Sequence, residues 1–501
     1  MAELSKSQIN NVKKYIKKQW KVLTRDHKEL AKTSVDHKIT ETAAEKNKHI
    51  IYISAKESLN RVNTQLKNEL SADDFSMISV KKLPSIMTYD SHNFITKYPG
   101  LLYLPNPYVA PGGRFNEMYG WDSYFILLGL LYDDQLEMAK WMTENLLYEV
   151  KYYGKILNAN RSYYLTRSQP PLLSSMVLAI YDKTKDKKWL KTTVSANTKV
   201  YQYWTQTPRL VKSIGLSRFY AESNTPIPET EHGYYDAVRN FYRENNIKAY
   251  DVAKFYHKRT DKLTAEFYRA DRTVREAGFD LTNKYGPFGA DITSYISVSL
   301  NTLLYKLETD MVRIHKTLSE SKKAETWQAR ATRRARLINQ YLWEPDLGFY
   351  FDYNHRKQYN RTYIYATTFY PLWGGIASKK QVARIIENLE VLDAKGGIIS
   401  SAYVTGMQWD APFGWAPHQY FAVHGLERYG YHKEACEIAK KFVTMLTKDF
   451  AKTKKLYEKY NMRTTSSDVT ANIKYGYKIN VEGFGWTNAI YLDFLNYLDK
   501  H

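Results

Sequence analysis

The 501-residue sequence contains a single cysteine, Cys436, so no intrachain disulfide can form and a reducing compartment fits. It has no stretch of about 18 apolar residues of the kind that spans a membrane. The opening MAELSKSQINNVKKYIKKQW lacks the apolar core of a secretion signal, which gives a cytoplasmic expectation. There is no zinc-finger, RNA-recognition or leucine-zipper pattern, and no repeat of fixed period. Acidic residues are in the minority, 52 Asp and Glu against 73 Lys and Arg, for a net charge of +21. The basic excess is spread along the chain. Its densest runs, Lys13–Lys14 with Lys17–Lys18 and Lys452–Lys455, fall on helical-looking segments and read as solvated helix faces rather than a polyanion site. Neither a nucleic-acid partner nor a membrane is expected.

Strand-like alternation is scarce, and what is present is helical. Hydrophobic residues make up 44% of the chain, enough for a large core. Ile9, Val12, Ile16, Trp20 and Leu23 recur at spacings of three and four, which predicts an amphipathic helix over 5–23 with Ser5 or Ser7 as N-cap. Residues 40–95 are less regular, and residues 1–100 read as an N-terminal helical extension packing on a main unit of 101–501. Long helices are predicted at 121–131, 134–153, 171–182, 187–206, 236–244, 248–276, 292–318, 324–342, 363–376, 379–391, 412–429, 432–461 and 485–499. They pair as helical hairpins, an all-α fold.

The unusual residues gather in the loops, where a rigid scaffold ordinarily carries its chemistry. PGGRFNEMYGWDSY, from Pro111 to Tyr124, places Arg114, Glu117 and Asp122 beside Tyr119 and Trp121. NANRSYYLTRSQPP, from Asn158 to Pro171, offers Arg167 and Gln169 just ahead of a helix. GMQWDAPFGWAP, from Gly406 to Pro417, and EGFGWTN, from Glu482 to Asn488, again set aromatic rings against polar groups. Rings that stack on a pyranose, next to groups that bond its hydroxyls, suit a sugar. A structural Arg–Asp pair at a helix start is the plainer alternative.

PGGRFNEMYGWDSY and QWDAPFGWAP resemble the two signature motifs of the trehalase family, glycoside hydrolase family thirty-seven. NRSYYLTRSQPP, GGIISSAYVTGMQWD, LNTLLYKLE and EGFGWTN resemble further family segments in the same order, from about Pro105 to Asn488. The resemblance implies an (α/α)6 toroid of six helical hairpins with the active site in the loops at one end. It implies hydrolysis of α,α-trehalose to two glucose molecules with inversion, and no metal or organic cofactor. Inversion needs a protonated carboxyl to release the leaving oxygen and a carboxylate to activate water on the opposite face, about 6.5–9.5 Å apart.

Within the resemblance, Glu276-Ala277-Gly278-Phe279-Asp280 matches the acid motif, so Asp280 is the expected acid, and Glu458-Lys459-Tyr460 matches the base motif, so Glu458 is the expected base. Taken alone, Asp280 would read as a helix cap and Glu458 as a surface residue on a Lys-rich helix. Substrate contacts are implied for Arg114, Trp121, Asp122, Asn158, Arg167, Ser168, Gln169 and Gly278. Trp409 and Asp410 of the second signature, Glu229 and Glu482 join them. Three departures stand out. Ile227-Pro228-Glu229 lacks the Arg of the family's usual triplet, Tyr477 stands where a Glu is usual, and Phe279 replaces a Trp. Loss of one cation and one anion together suggests that Ile227 and Tyr477 lie near each other in the outer half of the pocket. The competing readings are a related α-glucosidase for another small glucoside or for trehalose 6-phosphate, a sugar-binding protein without catalysis, and a nucleic-acid binder suggested only by charge. Retention of both carboxyls argues against the second, and the missing Arg against a new phosphate site.

Overall fold

The computed structural model describes residues 4–39, 48–85, 95, 97–477 and 479–501. The first helix forms over Lys6–Leu23 with Ser5 as its cap: the Ser5 hydroxyl accepts from the Gln8 N–H, and the Gln8 side chain accepts from the Ser5 N–H. Val12, Ile16, Trp20 and Leu23 form its buried face, and the Trp20 indole donates to Asp133 at 2.7 Å. Lys13, Lys14, Lys17 and Lys18 point to solvent.

Six helices line the centre of the molecule: Asp122–Tyr132, Leu173–Thr184, Val298–Thr317, Tyr370–Gly374, Ala416–Arg428 and Gly485–Leu498. Each packs on the next, and the last packs on the first, so the row closes into a ring. They are apolar on nearly every side because they are enclosed by a second layer. That layer is made by Leu136–Tyr153, Lys187–Trp204, Ser321–Tyr341, Lys379–Glu387 and His432–Thr453, each reached from its inner partner by a short turn. Lys6–Leu23 completes it, lying against His432–Thr453 and Gly485–Leu498. The fold is the expected (α/α)6 toroid, with its sixth outer helix supplied from the start of the chain. Contact across the seam is close. A Cβ on Gly129 would lie 2.8 Å from the Ala489 Cα and 2.9 Å from the Trp20 ring, so only glycine lets these three helices meet.

Several predicted helices are shorter than expected. The 248–276 prediction reduces to Ala265–Glu276, capped by Thr264; ahead of it Tyr256–His257 and Lys262–Leu263 form a hairpin. The 432–461 prediction ends at Thr453, where Lys454 turns into the left-handed region at φ 59°. The chain then runs extended, and Lys459–Asn461 pairs antiparallel with Phe413–Trp415. Glu458 is therefore not on a helix face. The N-terminal extension is not purely helical: within the irregular stretch 40–95, the described part holds the helix Leu59–Glu69 between parallel strands His49–Ile53 and Ile78–Lys82, with Leu101–Leu102 on the other edge. Ile51, Ile53, Val62, Leu66 and Tyr103 give this unit a small core of its own. Residues 40–47 and 86–94 lie outside the described residues.

Candidate active site

One end of the ring opens into a cavity of about 470 Å³, where both signature loops meet. Its apolar wall is a cluster of tryptophans. Trp409 and Trp415 stack with centroids 3.9 Å apart, and Trp121 and Trp486 pack edge-on at 5.8 Å. Such a wall suits the C–H face of a sugar, and the volume lies in the range of small-molecule sites. Arg114, Asp122, Asn158, Arg167, Gln169, Glu229, Asp280 and Glu458 reach it, together with Gly278, so most of the expected residues share one cavity.

Asp280 follows the helix Ala265–Glu276 through a tight turn. Gly278 sits at φ +80°, and a Cβ there would lie 2.9 Å from the Trp121 ring. The position requires glycine on both counts. The second signature holds the far side of the turn: the Gln408 side chain donates to the Asp280 carbonyl, and the Trp409 N–H donates to the Leu281 carbonyl at 3.0 Å. The carboxyl faces the cavity with 29% of its side chain exposed, 3.4 Å from the Arg275 guanidinium. Burial pushes its pKa up to about 6; Arg275 and Arg167 pull it down, and Glu458 adds to the rise.

Glu458 is fixed at its backbone and at both carboxylate oxygens. Its N–H donates to the Val481 carbonyl at 2.9 Å, and its carbonyl accepts from the Trp486 indole at 3.0 Å. Oε2 accepts from the Lys459 ammonium at 3.1 Å, and Oε1 from the Tyr477 hydroxyl. Burial lowers the pKa of Lys459 and Glu458 counters it. Asp122, on the first turn of its helix, has its pKa raised well above the usual carboxylate range by burial, with Glu458 and Asp280 adding to the effect. Arg167 pairs with Glu229 and lies over the Tyr164 ring, while its Nε and Nη1 have no partner among the described residues.

Three expected contacts do not reach the cavity. Ser168 turns inward: its hydroxyl donates to the Ile156 carbonyl at 2.7 Å, and its N–H donates to Glu276 at 3.1 Å. Asp410 accepts from the Thr282 and Thr405 hydroxyls and the Asn283 N–H, at 2.9, 2.7 and 2.8 Å. It ties the chain after Asp280 to the second signature instead of touching the cavity. Glu482 points outward, 54% exposed, and pairs with Lys455. Glu117 of the first signature is also structural, fully buried between Lys38 and Arg161.

The expected Ile227–Tyr477 neighbourhood is overturned. Ile227 is buried behind the wall, where its N–H donates to the Tyr235 hydroxyl at 2.8 Å, and it does not line the cavity. Tyr477 does line it, but its hydroxyl is on Glu458. The cation comes from Arg275, which bridges Asp271 and Asp280. Arg275 was missed in the sequence, although it stands one helical turn before the Gly278 turn.

The Trehalase family model matches residues 1–499. The chain belongs to the trehalase family. Members are glycoside hydrolases, and so is this chain. It is similar to a cytosolic neutral trehalase from Kluyveromyces lactis, 34% identical over all of this chain and 72% of the relative. A cytosolic neutral trehalase from Neurospora crassa is 37% identical over 83% of this chain and 62% of the relative. The chain thus spans 62–72% of the length of these two trehalases. The solved neutral trehalase Nth1 from Saccharomyces cerevisiae superposes with a TM-score of 0.82 at 32% identity, covering 98% of this chain and 94% of that one. A GH63 mannosylglycerate hydrolase from Thermus thermophilus matches at TM-score 0.53 and 17% identity, over 78% of this chain and 95% of that one, a likeness of fold alone. No helix among the described residues of this trehalase-family chain is long and apolar enough to cross a membrane.

Proposed function

We propose that Asp280 and Glu458 are the general acid and general base with which this chain hydrolyses α,α-trehalose, inverting the attacked carbon. The observation that carries the reading is the pairing of two unlike carboxyls in one cavity. Burial raises the pKa of Asp280 to about 6, which suits a proton donor, while Glu458 receives a hydrogen bond on each oxygen and suits a proton acceptor. Asp280 gives its proton to the bridging oxygen as the bond to the attacked carbon breaks. Glu458 takes a proton from the water that attacks the opposite face. One glucose leaves as the β anomer and the other as the α anomer. Arg167 and Arg275, flanking the acid, hold hydroxyls and keep Asp280 from rising too far to release its proton.

The chemistry belongs to residues 101–501. The first hundred support it, through Lys38 beside Glu117 and the helix Lys6–Leu23 against the ring. A cytosolic setting fits the names of the fungal relatives. The test is a proton NMR time course with trehalose. β- and α-glucose should appear in equal amounts before mutarotation mixes them. Release of α-glucose alone, or faster cleavage of maltose or trehalose 6-phosphate, would overturn the reading.

A further inference from the structure

We propose that Tyr477 is a positioning residue whose hydroxyl, together with the Lys459 ammonium, fixes the Glu458 carboxylate in the orientation that takes a proton from water. The inference rests on Glu458 being the base.

A glutamate carboxylate turns easily about its last torsion, which has broad minima. One donor would leave that rotation largely free. Here each oxygen has its own donor: Lys459 on Oε2 at 3.1 Å and Tyr477 on Oε1. The donors come from different places, Lys459 from the next residue and Tyr477 from the loop that follows. A carboxylate offers about four acceptor sites, so two remain for water.

Tyr477 is itself held firmly. The Lys459 ammonium lies 4.0 Å from its ring centroid and the Arg114 guanidinium 5.6 Å. Cations against a phenol ring strengthen its O–H as a donor. The residues just before it are anchored to the loop that leads into the second signature, with the Lys474 and Tyr475 N–H groups both donating to the Gly406 carbonyl, at 2.8 and 3.3 Å. The Tyr475 ring packs edge-on against Phe288 at 5.0 Å. Burial keeps the Tyr477 pKa well above its ordinary value, so the phenol stays protonated and donates throughout the neutral range. The loop that holds the backbone behind Asp280 thus also delivers the donor to Glu458.

Tyr477→Phe tests this, because it keeps the ring and both cation contacts and removes only the hydroxyl. The expected result is a kcat on the order of ten- to a hundredfold lower, the usual effect of losing a hydrogen bond to a charged group, with KM for trehalose within about twofold of wild type. The second measurement uses Glu458→Ala, with turnover rescued by azide, which attacks without needing a base. In that background Tyr477→Phe should change the rescued rate by less than about twofold, because the group it positions is gone. A wild-type kcat in Tyr477→Phe, a raised KM with unchanged kcat, or an equal loss in both backgrounds would each overturn the inference. Near wild-type turnover by Glu458→Ala without azide would instead remove Glu458 as base, a distinct failure. Tyr477→Leu guards against a folding artefact: it loses the ring contacts as well, so a lower melting temperature confined to this variant separates packing from the hydroxyl's role.

Discussion

Arg275→Gln should move the alkaline limb of the pH–activity profile to higher pH. Asp280 must be protonated to act, so activity falls as pH rises through its pKa. In the free enzyme that value is about 6, and kcat/KM should decline above it. Arg275 stands 3.4 Å from the carboxylate and favours its charged form. At that distance, with an effective dielectric of about 20, the attraction is about 5 kcal/mol, more than three pK units at ~1.4 kcal/mol each. The carboxyl opens onto the cavity with 29% of its side chain exposed, so water screens part of this, and Arg167 remains. The expected shift is about one to two units upward. Gln keeps a polar group in the wall, and Asp271 keeps the hydroxyls of Tyr234 and Tyr235, both at 3.1 Å. The assay is kcat/KM for trehalose by glucose release between about pH 4.5 and 9, the limb reporting the free enzyme. A limb that stays put, or moves to lower pH, would refute the claim that Arg275 acts electrostatically on the acid. The limb for kcat should lie higher than that for kcat/KM, because bound sugar displaces cavity water and deepens the burial that raises Asp280.

Asp280→Asn and Glu458→Gln should each lower kcat by about 10² to 10⁴-fold, with melting temperatures near wild type; near-normal turnover in either would remove that residue from its role. Arg161→Ala should strongly lower the melting temperature, by the equivalent of roughly 3–5 kcal/mol, because it leaves Glu117, fully buried, with Lys38 alone. Burial works against the charge on Glu117, yet Lys38 and Arg161 hold its pKa at about 2. Its stabilising effect is therefore full above its unfolded value of about 4.3 and is lost as pH falls toward 2, so the gap between wild type and variant should narrow in acid. Gly278→Ala should abolish most activity while sparing the ring, since its Cβ would press on Trp121, 2.9 Å away; wild-type kcat/KM would show that the turn has room to adjust.

The helical hairpins could be read from the sequence because the outer helices carry a periodic apolar face and the inner ones a dense apolar run between loop signals. Where a tertiary partner decided the outcome, local signals failed. Lys452–Lys455 and the residues after it are good helix formers, and nothing there announces the left-handed turn at Lys454 or the pairing of Lys459–Asn461 with Phe413–Trp415. Motif context singled out Asp280 and Glu458, and both face the cavity. It named Ser168, Asp410 and Glu482 for the same reason, but the sequence does not say which way a side chain turns within a loop. Arg275 escaped notice because an Arg in a last helical turn is ordinarily there for the helix dipole.

The seam at Gly129 and Ala489 sets an order on how the molecule can come into being. The helix of the seam's first side is made hundreds of residues before its counterpart, and Lys6–Leu23 likewise waits for His432–Thr453 and Gly485–Leu498. Until Gly485–Leu498 is synthesised, the parts of Asp122–Tyr132 and of the first helix that it covers stay open to water, and exposed apolar surface of that kind invites aggregation. Trp486, which bonds the Glu458 carbonyl, arrives on that same final helix. A nascent or cleaved chain lacking it is an open arc whose base has lost the bond from Trp486 and whose cavity has lost one wall of its tryptophan cluster, so full activity should come only with ring closure.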